Sequence, residues 1–410
     1  MASLTTTAAQ TLQPIAFAEK KVSFRIGSID LLRGLVMIIM ALDHTRDFLH
    51  DAAWTDDPLN LATTTPVLFL TRWITHFCAP VFVFLAGTSI YFQSLRKSKK
   101  DLSIFLLTRG LWLIFIEIAV INLAFTFDIT YSVVGLQTIW SIGISMIVMA
   151  AIIWLPFRLI LSLGLLIVLG HNSLDFYEAG HKGGFDFFYS LVHRPGLYPV
   201  DASHGVLVLY PFLSWAGLMM MGYCFGKLFT LYEGAARKQM LLRLGFGVIA
   251  FFILLRAFDV YGDPGKWQEQ NSLLYTLFSF ISVQKYPPSL LYTCATIGPA
   301  LLFLALAEGA KNRLSRIITV YGRVPFLYYV LHFFLIHIVA TIFFFASGHS
   351  VATAEKFSGG LTPLFVIPGE GFSLLVVYAV WLGIVASLYP VCNWFSRYKQ
   401  THKQWWLSYL

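Results

Sequence analysis

The chain has 410 residues, of which 57% are hydrophobic and 12% charged, with a mean hydropathy of +0.71. A soluble domain carries roughly 25% charged residues, and half that charge cannot cover a water-soluble protein of this size. The composition excludes an ordinary soluble enzyme, a disordered chain and a nucleic-acid binder. The net charge of +8 is read through the placement of Lys and Arg rather than as a sign of an acidic partner.

In chain order, residues 1–27 come first. They are rich in Thr, Ala and Gln, lack a continuous apolar run before a cleavage site, and predict a mobile cytosolic arm rather than a signal peptide. Ten apolar segments follow, at 28–50, 66–95, 102–127, 136–155, 157–171, 206–231, 239–260, 288–306, 324–345 and 372–396. They are apolar all round and mostly near the ~20 residues of a membrane-crossing helix; a β-barrel strand would alternate over about ten. With the N-terminus inside, 17 Lys and Arg fall on the inner side and 5 on the outer. That asymmetry predicts an all-α polytopic integral membrane protein of about ten transmembrane helices, both termini cytosolic. Residues 28–398 then form one transmembrane domain, and 399–410 a cytosolic tail. The longest outer loops, 172–205, 261–287 and 346–371, are placed to cap a site that opens outward. Cys78, Cys224, Cys294 and Cys392 lie inside apolar segments without paired spacing, and read as small buried residues.

The first segment carries Asp30, Arg33, Asp43, His44, Arg46, Asp47 and His50. Ionisable side chains within a span default to functional sites. Arg33 and His44 are eleven residues apart, close to three turns, and so share a stripe. His44 and Asp47 are i, i+3; Asp43 and Asp47 are i, i+4. At ~1.5 Å per residue His44 lies roughly 17 Å beyond Arg33, which places Arg33 near the inner face and His44 past the midplane. The second segment adds Arg72 and His76 at i, i+4. The third adds Arg109 and Glu117, with Arg109 or Arg72 as expected partners for the carboxylate. The ninth opens with Arg323 and carries Tyr328, Tyr329 and His332. There is no phosphate-binding loop, zinc-protease motif or serine-hydrolase elbow. A zinc site from His44, Asp47 and His50 is disfavoured by the neighbouring Arg46, and no metal is expected.

Residues 25–50 (RIGSIDLLRGLVMIIMALDHTRDFLH), TRWITHFCAPVFVFLAGTS, TRGLWLIFIE, PFLSWAGLMMMGY and KYPPSLLY resemble the bacterial heparan-α-glucosaminide N-acetyltransferase-like membrane proteins, within the transmembrane acyltransferase superfamily. Arg33, ten residues, then His44 also resembles the signature of membrane O-acyltransferases that modify envelope polysaccharides. The resemblance implies transfer of an acetyl group from cytosolic acetyl-CoA to an acceptor on the far side of the membrane. The lysosomal pattern, a catalytic His closely followed by Ala and Trp, falls on His50 and Trp54, whereas the O-acyltransferase pattern falls on His44.

Together these readings assign His44 as general base, Asp47 or Asp43 as its orienting carboxylate, and His50 as the rival base. Arg25, Asp30, Arg33 and Arg323 form the donor end, and His76, Arg72, Trp54 and His332 contact substrate. The expected partners are the lipid bilayer, acetyl-CoA and a hydroxyl or amine on a sugar or envelope glycan. The expected location is the bacterial inner membrane, and a homodimer is compatible with this reading. The alternative is a proton-coupled transporter or channel using the same charged seam; the lack of a detectable internal repeat speaks against it.

Overall fold

The computed structural model describes residues 26–357 and 362–408. Arg25, and all but the last two residues of the expected N-terminal arm, lie outside the described residues.

The chain is mostly helical, and helix is found in each of the ten predicted segments. It begins with α1 (Gly27–Leu49), α2 (Pro66–Thr75), α3 (Cys78–Ser94) and α4 (Lys99–Ile116). A π-helical turn, Glu117–Ile121, leads into α5 (Asn122–Thr126) and strand β1 (Val133–Leu136). Then come α6 (Thr138–Ile152), α7 (Phe157–Gly170), α8 (Ser173–Gly180), α9 (Phe187–Val192), β2 (Gly196–Pro199) and β3 (Gly205–Val208). The second half holds α10 (Phe212–Gly226), α11 (Leu228–Leu231), α12 (Gly234–Phe258), α13 (Leu273–Ile281), α14 (Leu290–Leu306), α15 (Arg313–Arg323), α16 (Pro325–Ala346), α17 (Val351–Phe357) and α18 (Leu374–Thr401). By length and composition, six helical stretches among the described residues can cross a membrane, or seven if the bent pair α7 and α8 counts as one span. α1 is not among the six despite its 23 residues, because it carries the charges that make it informative.

Helix starts follow local chemistry. Thr65 accepts from Leu68 N–H ahead of Pro66, and Ser289 accepts from Tyr292 N–H to open α14. The π turn has a visible cause: Asn122 Nδ2 donates to the Glu117 carbonyl at 2.7 Å and to Gly135 O at 3.1 Å, while its Oδ1 accepts from Gly135 N–H at 2.6 Å. One amide thus satisfies the widened turn and ties β1 to it.

Two expectations are corrected here. The all-helical reading contained no strands, yet β1 pairs parallel with β3, which pairs antiparallel with β2. Four-residue strands are too short for alternation to stand out among apolar neighbours. The buried Glu117 does not pair with Arg109 or Arg72. Its Oε2 accepts from Trp140 N–H at 3.0 Å, in the first turn of α6, where unpaired amides favour an anion, and Arg72 is taken by Asp43.

One contiguous core runs from α1 to α18. α1 sits within it, packed by α2, α3, α14, α15, α16 and α18. Two backbone contacts set the spacing. A Cβ on Gly322 would stand 1.9 Å from Asp30 O, and one on Gly222 would stand 2.0 Å from Phe84 O. Gly222→Ala should therefore force α3 and α10 apart and destabilise the protein by about 1–3 kcal/mol or more. Gly247→Ala, where nothing lies within 4 Å, should gain up to about 1 kcal/mol from helix propensity. Thermal unfolding of the purified variants in detergent checks both signs.

Candidate functional site

A cavity of about 670 Å³ runs alongside α1, lined by Arg33 at one end, by Asp43, His44, Arg46 and Asp47 in the middle, and by His50 and Trp54 at the other. From Arg33 to His50 the helix rises about 25 Å at 1.5 Å per residue. The sequence makes this possible because α1 carries a polar face along its whole length, which its neighbours meet with Arg72, Ser89 and Arg323.

At the first end, Arg33 Nη1 lies 3.4 Å from Asp30 Oδ1 and from Gly322 O, and Nη2 donates to Ser89 Oγ at 3.1 Å. The guanidinium is thus fixed between α1, α3 and α15. Arg323, at the end of α15, and Lys399 of α18 line the same end, so cations from three helices converge there. Asp30 does not line the cavity; it orients Arg33.

The middle is a charge network. Asp43 Oδ2 accepts from Arg72 Nη1 at 2.5 Å, and Arg46 Nη2 lies 3.1 Å from Asp43 Oδ1. Arg46 also pairs with Asp47. His44 Nδ1 stands 3.8 Å from Asp47 Oδ2 and makes no hydrogen bond. Its ring packs on Phe333 at 4.2 Å and beside His332 at 5.3 Å between centroids. The carboxylates expected to orient His44 are therefore held by arginines, with Asp47 one small side-chain movement from the ring.

At the other end α1 stops at His50, whose backbone turns extended and forms a bridge to Phe372. His50 Nδ1 accepts from Ala52 N–H at 3.1 Å, with Asp51 Oδ1 3.2 Å from the same nitrogen. Trp54 takes a left-handed φ of 64°, a conformation that costs a bulky residue about 1–3 kcal/mol. Its indole N–H donates to Asp47 O at 2.8 Å, which ties the mouth to the last turn of α1.

Of the residues expected to contact substrate, Arg72 and Trp54 line the cavity, whereas His76 and His332 do not. His76 is buried against Tyr292 at the junction of α2 and α3. His332 is buried behind His44, with Nδ1 3.1 Å from Tyr328 O. Sequence reasoning missed Lys285, Tyr286 and Tyr210, and gave Tyr329 no place in the site; all four line the cavity. For the first two the signal was the string KYPPSLLY, whose charge and aromatic ring had been given no role. Removing Asp43 should expose the cost of this network. Asp43→Ala strands Arg72 and leaves Arg46 with Asp47 alone, an expected loss of about 3–5 kcal/mol. Asp43→Ala with Arg72→Met should lose less than the sum of the two single changes, read as unfolding free energy in detergent.

The sequence model of the family described as heparan-alpha-glucosaminide N-acetyltransferase, catalytic, matches residues 25–255. That stretch holds all of α1 and its charged face; Lys285, Arg323 and His332 lie beyond it. No curated protein matches the chain.

Proposed function

The chain belongs to the heparan-alpha-glucosaminide N-acetyltransferase catalytic family and is an integral membrane protein, and from that premise we propose that it carries an acetyl group from acetyl-CoA on the cytosolic side to a hydroxyl or amine on the outer side. The acceptor class is a sugar or an envelope glycan, and the membrane is the bacterial inner membrane. All ten predicted segments cross it, with both termini in the cytosol.

The observation that carries this reading is the single cavity with Arg33 at one end and His44, His50 and Trp54 toward the other. An acyl donor must bring its anionic head to one face and its thioester to the far half. Arg33 and Arg323 hold donor phosphates by charge-assisted hydrogen bonds, and Arg25 is assigned the same role. His44 takes the proton from the acceptor X–H as X attacks the thioester carbonyl carbon. The C–S bond then breaks, and the imidazolium returns that proton to the CoA thiolate. Asp47 closes its 3.8 Å gap to support the charged ring. His50 lines the acceptor end, its Nδ1 shared by a backbone N–H and Asp51.

Acetyl-CoA should raise the melting temperature of the purified protein by mass action, and equimolar ATP should not. His44→Ala should keep that stabilisation and lose about 10²–10⁴-fold in transfer rate. His50→Ala should keep most of the rate. An inactive His50→Ala beside an active His44→Ala reverses the choice of base. If neither change matters to transfer, the seam is not catalytic and the transporter reading takes its place.

For sidedness, single cysteines near Lys99 and Lys238, introduced after the four native cysteines are replaced, should resist an impermeant thiol reagent in intact cells. One at Gly183 should be labelled. Labelling at the Lys99 position from outside sinks the orientation and the donor side with it.

A further inference from the structure

The middle of the cavity holds three cations, Arg46, Arg72 and Lys285, against two carboxylates, Asp43 and Asp47. The arginines consume both: Asp43 is gripped by Arg72 and Arg46, and Asp47 by Arg46. Among the described residues Lys285 forms no ion pair with a carboxylate. Its ammonium instead lies 5.1 Å from the centre of the Tyr286 ring, and its side chain lines the same cavity as Asp43 and His44. That place is far from the donor-phosphate end, since Arg33 and Asp43 are ten residues apart, about 15 Å along α1.

The fold holds this lysine firmly. Arg256, nearly fully buried, donates to the carbonyls of Phe280, Ser279, Ser282 and Gly265. Asp263 Oδ2 accepts from Gln284 N–H at 2.8 Å and from Ser289 Oγ at 2.6 Å. Lys285 and Pro288 bridge across the turn between them, and Tyr286 packs edge-on against Tyr210 at 5.2 Å. A buried arginine and a mostly buried aspartate are thus spent on one short loop whose residues Lys285 and Tyr286 line the cavity opposite α1.

We propose that Lys285 is a catalytic residue of the acetyl transfer, its ammonium donating a hydrogen bond to the thioester carbonyl oxygen as that oxygen gains negative charge. The inference rests on the acetyl-transfer reading above. When the acceptor attacks, the carbonyl π electrons move to oxygen beside Lys285 while His44 holds the acceptor's proton. They return as the C–S bond breaks, and Lys285 keeps its three protons throughout. A fixed positive donor beside developing charge is worth most in the transition state.

The test uses the full chain in nanodiscs, acetyl-CoA as donor, glucosamine as probe acceptor, and both CoA release and acetyl-CoA-induced stabilisation as readouts. Lys285→Met, which keeps the length of the side chain, should lose about 10²–10³-fold in kcat. Its KM for acetyl-CoA and its thermal shift should stay at wild-type values. Lys285→Arg should recover much of the rate, and methylammonium should partly rescue Lys285→Met but not His44→Ala. Wild-type kcat in Lys285→Met overturns the proposal. So does a loss of acetyl-CoA affinity with kcat intact, which makes Lys285 a donor-binding cation. A rate loss accompanied by a fallen melting temperature and no recovery in Lys285→Arg makes it structural and overturns it too. A wild-type protein that releases no CoA overturns the acetyl-transfer reading itself, which separates the two failures.

Discussion

The structure depends on one constraint: α1 carries a row of ionisable side chains through the centre of an apolar bundle. A charge in that setting is tolerated only with a partner of opposite sign and filled hydrogen-bond positions. Asp43 obtains two guanidiniums, one from its own helix and one from α2. Arg33 obtains Asp30, Ser89 and the carbonyl of Gly322. Those partners come from α2, α3 and α15, so placing these helices and satisfying the charges are one problem. Gly322 solves part of it by letting α15 approach until a Cβ could not fit, which brings its carbonyl within reach of Arg33.

What remains unsatisfied then separates structure from chemistry. The four groups Asp43, Arg46, Asp47 and Arg72 bind one another. His44 Nδ1 is buried without a hydrogen bond, as are Asp43 Oδ1 and Arg46 Nη1, and among the described residues Lys285 forms no ion pair with a carboxylate. A base without a hydrogen bond and a cation without a carboxylate, both lining one cavity, are suited to acyl transfer, which needs a proton acceptor and a counter-charge for oxygen.

The loops outside the apolar segments are built as firmly as the helices. Glu178 binds Tyr189, His193 and Arg194, and His193 reaches on to His171. Asp128 shows the same economy. Burial opposes its ionisation, yet hydrogen bonds from Ser132 and Thr130 prevail and hold its carboxyl down at about 2, fixing the turn before β1. Trp54 and Lys285 are themselves on loops, between α1 and α2 and between α13 and α14, so the cavity is lined by loops as well as by helices.

The sequence by itself determined the class of protein, the ten helical segments and the importance of α1, because hydropathy and i, i+3 or i, i+4 spacing are local properties of a chain. It also pointed to Arg33, His44, His50, Arg72 and Trp54 as neighbours of one site, since four of the five lie within twenty-two residues of one another. It did not reveal that Asp43 and Asp47 are held by arginines rather than by His44, that His76 and His332 lie behind the wall, or that Glu117 caps α6. Nor did it show that Lys285, more than two hundred residues from α1, completes the cavity. Those facts depend on which helices meet and at what distance. Pairing between buried charges is a competition among all partners within a few ångströms, and only the tertiary structure decides who is within reach.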